Sequence, residues 1–303
     1  MDKRPFSLAV DLDFLYLSEE HTRVFGEIVS ALTRRDGLVC VTGEAGAGKT
    51  VICRRLLQDL NEEYKVVLVN TPPKSPRDMT ETLDDAFGEI EADPRIPVVI
   101  FDEAQHLDSR CLDQVKFLTN LEKNGEKLLQ IVLVGQPELA DKISHRRFAQ
   151  FEQRIGAKLK LGPLKKREVL PYLNHRLSAA GLAKEIHFTA LSARSFYRET
   201  GGVPRLINRV ANIAVEHALL NGRGKIGVAE VKRAVSKVSA SRDDWNEVKS
   251  RSSLLLRVSI FLVLLVVISA GLFLYYNPKI MDALSGSGIL GGDEIRPKVE
   301  GGN

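Results

Sequence analysis

Across the first 160 or so residues, short apolar runs alternate with longer stretches in which apolar positions return every three or four residues. Leu38–Thr42, Lys65–Val69, Val98–Phe101, Leu129–Val134 and Ala157–Leu161 are the short runs, each of a length suited to a buried strand. Between them, Val51, Ile52, Leu56, Leu57 and Leu60 recur at helical spacing. So do Met79, Leu83, Ala86, Phe87 and Ile90, with Asp93-Pro94 as the expected stop. Cys111, Leu112, Val115, Leu118 and Leu121 predict another helix, ending near Gly125. An earlier helix is predicted to begin after Ser18 as N-cap, with Glu19 and Glu20 in the first turn, where the helix dipole favours negative charge. Val24, Phe25, Ile28, Val29 and Leu32 form its apolar stripe, and Gly37 closes it. The alternation predicts an α/β fold, a five-stranded parallel sheet with helices on both faces.

From about Pro163 the pattern changes. Helical periodicity around residues 165–180, 189–200, 205–220 and 228–238, without a strong strand signal, predicts a small all-helical domain. Residues 239–253 are polar, and 239–257 reads as a linker. Val258 to Tyr276 then runs for nineteen residues without a charge. At ~1.5 Å per residue that is roughly 28 Å, enough to cross a hydrocarbon core, so a transmembrane helix is expected. Tyr275 and Tyr276 suit the interfacial aromatic belt, and Lys249, Arg251 and Arg257 outweigh Lys279 on the other side. The positive-inside rule places the large N-terminal part in the cytoplasm. The expected boundaries are thus 1–163 for the sheet domain, 164–238 for the helical domain, 239–257 for the linker, 258–276 for the membrane helix and 277–303 for a short flexible tail.

Composition narrows the reading. Lys and Arg total 43 against 39 Asp and Glu, a net charge of +4, too balanced to point to nucleic acid. Cys40, Cys53 and Cys111 form no CxxC pair, so neither a zinc site nor a disulfide framework is implied. They read as buried thiols in a reducing compartment. Asp2, Lys3 and Arg4 leave no apolar core for a signal peptide at the start.

The chemistry is concentrated in two places. Gly43-Glu44-Ala45-Gly46-Ala47-Gly48-Lys49-Thr50, between an apolar strand and the helix that opens with Val51, fits GxxxxGK[ST]. Backbone N–H groups must converge on phosphate oxygens, so glycines stand where the chain turns tightly, and the next helix's N-terminus faces the anion. Lys49 is expected to neutralise the β- and γ-phosphates and Thr50 to coordinate Mg²⁺. Val98 to Phe101 ends in Asp102-Glu103. When its strand neighbours the phosphate-loop strand, such a pair lies beside the phosphates. Asp102 is then expected to hold Mg²⁺ through water, and Glu103 to orient or deprotonate the attacking water.

Together with Asp102-Glu103-Ala104-Gln105 and Val134-Gly135-Gln136-Pro137-Glu138-Leu139, the phosphate loop resembles the AAA+ ATPases of the general secretion pathway protein A type. That group includes the ATPase of mannose-sensitive haemagglutinin pilus biogenesis. Pro5-Phe6 and Phe14-Leu15-Tyr16-Leu17-Ser18 are similar to the family's opening segment. His175-Arg176-Leu177, Ala180-Gly181 and Gly201-Gly202-Val203-Pro204-Arg205-Leu206-Ile207-Asn208 are similar to its helical lid. The resemblance implies ATP as the nucleotide and ATP hydrolysis as the activity. It implies Gln136 as a sensor near the γ-phosphate, although an amide capping the turn before Pro137 explains that residue equally well. It implies Arg205 as the lid's sensor arginine, against a plain helix-start arginine, and Arg154 as a finger acting on a neighbouring subunit, with Arg146 and Arg147 as rivals. A trans finger implies a homo-oligomer with head-to-tail contacts. The family further implies a bacterial inner-membrane location, a periplasmic tail and partners among envelope assembly proteins of secretion, pilus or polysaccharide export. Only 27 residues follow the expected membrane helix, so the cell-wall-binding domain of some relatives does not carry over. Two other readings compete: a DNA-associated ATPase of the transposition-helper type, and a nucleotide-dependent switch with little turnover.

Overall fold

In the computed structural model, residues 4–9, 11–60, 63–88, 93–123, 125–240 and 269 are described. Five strands form one sheet: β1 (Leu38–Gly43), β2 (Tyr64–Val69), β3 (Ile96–Phe101), β4 (Gln130–Gly135) and β5 (Ala157–Leu161). Their spatial order is β2-β3-β4-β1-β5, and every pairing is parallel. Period-two alternation sends their side chains to two separate cores. Leu38, Cys40, Val99, Phe101, Ile131 and Leu133 pack on one face. Val39, Val41, Val98, Ile100, Val132 and Val134 pack on the other. Helices α1 (Glu19–Thr33) and α2 (Lys49–Asp59) cover the second face, and α3 (Pro76–Phe87) and α4 (Ser109–Leu118) the first. Ser18 caps α1 as expected, its hydroxyl accepting from the His21 N–H.

The strand order does not meet the condition set for the acidic pair: β3 does not neighbour β1, because β4 lies between them. Two helix ends also differ. The third helix stops at Phe87, where Gly88 takes a positive φ, and Ile90 lies outside the described residues. The fourth stops at Leu118, and Glu122–Lys123 pairs antiparallel with Glu126–Lys127 in a short hairpin. Helices α5 (Pro137–Ile143) and α6 (Ala149–Glu152) had no sequence signal of their own.

Beyond β5 come α7 (Val169–Ala179), α8 (Ala190–Thr200), α9 (Pro204–Leu220) and α10 (Val228–Ala240). One correction applies here too: His187–Phe188 and Lys225–Ile226 pair as a two-residue parallel ladder. Residues 1–240 pack as one compact unit. The three cysteines are free and buried, and desolvation pushes each thiol above its ordinary range. Apart from Ser269, the expected membrane helix lies outside the described residues, as do most of the linker and all of the tail. Among the described residues, no helix is long and apolar enough to cross a membrane.

Candidate active site

The parallel sheet brings the C-terminal ends of β1, β3 and β4 to one edge, where ligands of such sheets bind. At the end of β1 the chain turns through Gly46 (φ 77°) and Gly48 (φ 105°) into α2. Gly48 caps that helix without a side-chain hydrogen bond. Both positions need glycine for a second reason. A Cβ at Gly46 would run into the Arg205 side chain, and one at Gly48 into the His21 ring. Lys49 is buried and folds back over the loop, donating to the carbonyls of Gly43 (2.9 Å) and Glu44 (3.1 Å). Burial pulls its ammonium below the ordinary lysine range, while Glu103, Asp102 and Glu44 pull the other way.

The Thr50 hydroxyl donates to Asp102 Oδ2 at 2.7 Å, so the phosphate loop and the acidic pair meet even with β4 between their strands. Asp102 is buried and accepts the Glu103 N–H on its other oxygen at 2.9 Å. Glu103 stands in the left-handed region (φ 52°, ψ 35°), a conformation that costs a non-glycine residue free energy. Two hard oxygen donors side by side suit Mg²⁺. Among the described residues no group of three or more His, Cys, Asp or Glu forms a metal cage, so the remaining ligands would come from phosphate and water.

A cleft of about 370 Å³ opens over the loop. Its floor is Ala45, Gly46, Gly48, Lys49, Thr50 and Val51, and Glu103, Gln136 and Arg205 border it. Gln136 precedes α5 and makes no capping hydrogen bond with its side chain, so the turn-capping explanation does not hold. Arg205 opens α9, and its N–H donates to the Gly46 carbonyl at 3.3 Å. Arg154 does not line the cleft; it is exposed near Glu122. Neither rival lines it: Arg147 pairs with Asp113 (3.4 Å) and stacks on Phe148, and Arg146 is exposed.

The remaining wall comes from the opening segment and from the helical part. A strap that includes Ser7, Leu8, Ala9, Asp11, Leu12 and Phe14 to Tyr16 lines the cleft, as do Tyr172 and Asn208. This strap is held by α7. Buried Arg176 donates to the Pro5 and Ser7 carbonyls and to the Tyr172 hydroxyl. Its guanidinium lies over the rings of Phe6, Phe14 and Tyr172. At the other end, Glu19 pairs with Lys165 and Arg167, and its N–H donates to Glu168 (2.8 Å). His21 props the loop from α1: its ring bonds the Ser18 hydroxyl (2.6 Å) and the Ala47 backbone, and burial holds its pKa below the ordinary value.

A family model described as an AAA domain matches residues 32–95 and 76–143, which contain the loop and the acidic pair. The chain is 35% identical over 266 residues to the General secretion pathway protein A of Aeromonas hydrophila. The chain belongs to the AAA+ ATPases of the general secretion pathway protein A type. That match covers 80% of this chain and 48% of the relative, so the chain spans about half the relative's length. Solved structures share its fold. The Aeropyrum pernix ORC2 protein in ADPNP–ADP complexes is 18% identical, with a TM-score of 0.57 over 81% of this chain and 74% of that one. CDC6P from Pyrobaculum aerophilum is 16% identical, with a TM-score of 0.59 over 77% and 72%. The RUVB Holliday junction branch migration motor of Thermotoga maritima is 16% identical, with a TM-score of 0.52 over 74% and 72%. At these identities the likeness is one of fold alone.

The glycines of this ATPase give a direct test. Gly48→Ala is expected to strain the loop by on the order of 1–3 kcal/mol and push the His21 ring aside. Titration with a fluorescent ATP analogue should then show at least ~10-fold weaker binding, a factor of ten being about 1.4 kcal/mol. Undiminished affinity would mean that the loop does not need this conformation.

Proposed function

We propose that the chain is a membrane-anchored ATPase that binds and hydrolyses MgATP and couples the cycle to assembly of a bacterial envelope machine. The observation that carries the hydrolytic part is the 2.7 Å contact between Thr50 and Asp102, beside Lys49 and below a cleft that Glu103 lines. In this reading the backbone of Gly43 to Val51 cradles the phosphates. Lys49 exchanges its loop carbonyls for phosphate oxygens, which is favourable because a buried ammonium gains a full counter-charge. Thr50 and Asp102 hold magnesium, which when bound neutralises charge developing on the phosphate oxygens. Glu103 takes a proton from the attacking water.

Gln136 reads the γ-phosphate from the tip of β4. Arg205 reaches the phosphates from α9, and residues 164–238 serve as the lid. The Arg205 N–H on Gly46 supports this, since lid and loop already touch. In this reading Arg154 serves a neighbour's site, which entails head-to-tail assembly; its exposure outside its own cleft supports this. The Val258–Tyr276 run supplies the anchor in the inner membrane, with the ATPase part cytoplasmic and residues 277–303 periplasmic. Secretion, pilus and polysaccharide-export machines are the partners in view, secretion being favoured by the relative's name.

The test uses the purified full chain in detergent. Phosphate release from ATP should require Mg²⁺ and stop on chelation, and GTP should be a poorer substrate. Release that is indifferent to Mg²⁺ would overturn the assignment of Thr50 and Asp102. For the anchor, the chain should float with liposomes, and a variant carrying charges at Leu264 and Leu265 should not.

A further inference from the structure

Gln105 was read only as a letter of the Asp-Glu-Ala-Gln motif, yet its side chain joins two parts of the site. It follows Glu103 by two residues, in a turn of 3-10 helix, Ala104–His106. Its Nε2 donates to Glu103 Oε2 at 2.5 Å. Its Oε1 accepts the backbone N–H of Gln136 at 3.0 Å. The second contact fixes the orientation of the amide. A backbone N–H can only donate, so the carbonyl end must face Gln136 and the NH₂ end must face the carboxylate. The residue is pinned from its backbone as well, because Lys142 on α5 donates to the Gln105 carbonyl at 2.6 Å. Room for the amide comes from Gly135, where a Cβ would press on both Gln105 Oε1 (2.9 Å) and the Leu139 side chain.

A carboxylate has two oxygens. A side chain with three rotatable bonds, in a left-handed backbone conformation, has no local device that aims it. Tying Oε2 to Gln105 removes most of that freedom and leaves Oε1 for water. The same amide reaches Gln136, so the position of the β4 tip and the direction of the Glu103 carboxylate are joined by one planar group. We propose that Gln105 is a positioning residue for hydrolysis: it aims Glu103 at the water and links that aim to Gln136. This rests on the reading of Glu103 as the water-activating group. Gln105 itself does not line the cleft.

Three variants of the full chain test it by phosphate release and by binding of a fluorescent ATP analogue. Gln105→Met keeps the length and loses both hydrogen bonds. Gln105→Glu keeps an acceptor for Gln136 but offers Glu103 no donor. Both should lower kcat about 10- to 100-fold, the range for a misplaced catalytic group, with ATP affinity within about twofold. The decisive arm is Gln105→Met in a Glu103→Gln background, read in single turnover. A residue that acts through Glu103 adds no further loss there, whereas a structural prop lowers the residual rate again. Full activity in Gln105→Glu, parallel losses of affinity and kcat, or a further loss in the double variant would each overturn the proposal. The underlying reading fails separately, if Glu103→Gln alone turns over normally.

Discussion

Replacing Glu103 by glutamine will leave MgATP bound and all but stop its turnover. The amide keeps the size of the carboxylate and retains an acceptor, but it cannot take a proton from water. General-base catalysis of this kind contributes on the order of 10² to 10⁴ in rate, so kcat should fall at least ~100-fold. In the proposed reading binding rests elsewhere, on the loop of Gly43 to Thr50, on Lys49 and on the strap, so the dissociation constant of a fluorescent ATP analogue should stay within about twofold. Lys49→Ala is the contrasting variant. It removes the buried ammonium of the cleft floor, and should lose binding and turnover together. Phosphate release that survives Glu103→Gln would remove this residue from the chemistry.

Arg176→Ala will destabilise residues 1–240 and weaken nucleotide binding at the same time. The guanidinium is buried, and it satisfies the Pro5 carbonyl, the Ser7 carbonyl (3.4 Å) and the Tyr172 hydroxyl (3.1 Å). Truncation strands those acceptors and uncovers Phe6 and Phe14, which are buried in the native packing. Hydrogen bonds to a charged group are each worth ~1.5–3 kcal/mol, and the net loss should be about 3 kcal/mol. For a unit of this size that lowers the melting temperature by roughly 6–12 °C. Because Ser7 to Ala9, Asp11, Leu12 and Phe14 to Tyr16 line the cleft, MgATP should also restore less of the lost melting temperature than it adds to the native chain. Arg176→Lys should fall between the two, since an ammonium keeps the charge but not the planar fork. Circular dichroism melts with and without MgATP decide it; a melting temperature within about 1 °C of the native chain would show that the strap is held without this residue.

The five strands were legible because a parallel strand covered on both faces must be apolar nearly throughout, and Val98 to Phe101 or Ile131 to Val134 leave no other reading. Their order was not. Nothing local in Val98 to Phe101 states that β4 will come between it and β1, since that depends on pairing across some ninety residues. Helices α5 and α6 are too short for a period to show. The end of α4 was misjudged because Leu121 continues an apolar spacing although it lies exposed beyond the helix. In the site, the phosphate loop and Asp102-Glu103 were legible as contiguous strings. The strap was not, because its contacts join residues 5–19 to residues 165–208, and no spacing rule spans that gap. Gln105 could be seen but not interpreted, since its role lies in a bond to a backbone N–H thirty-one residues away.

The strap is fastened to α7, while the phosphate loop belongs to the sheet. A ligand that spans the cleft therefore grips two separate surfaces at once. A free nucleoside would engage one of them and inorganic phosphate the other. The whole nucleotide gains from being tethered, since the second grip forms at the high effective concentration set by the first. In the proposed cycle, cutting the terminal phosphate away would weaken one grip without touching the other, so a partly loosened product state would follow hydrolysis.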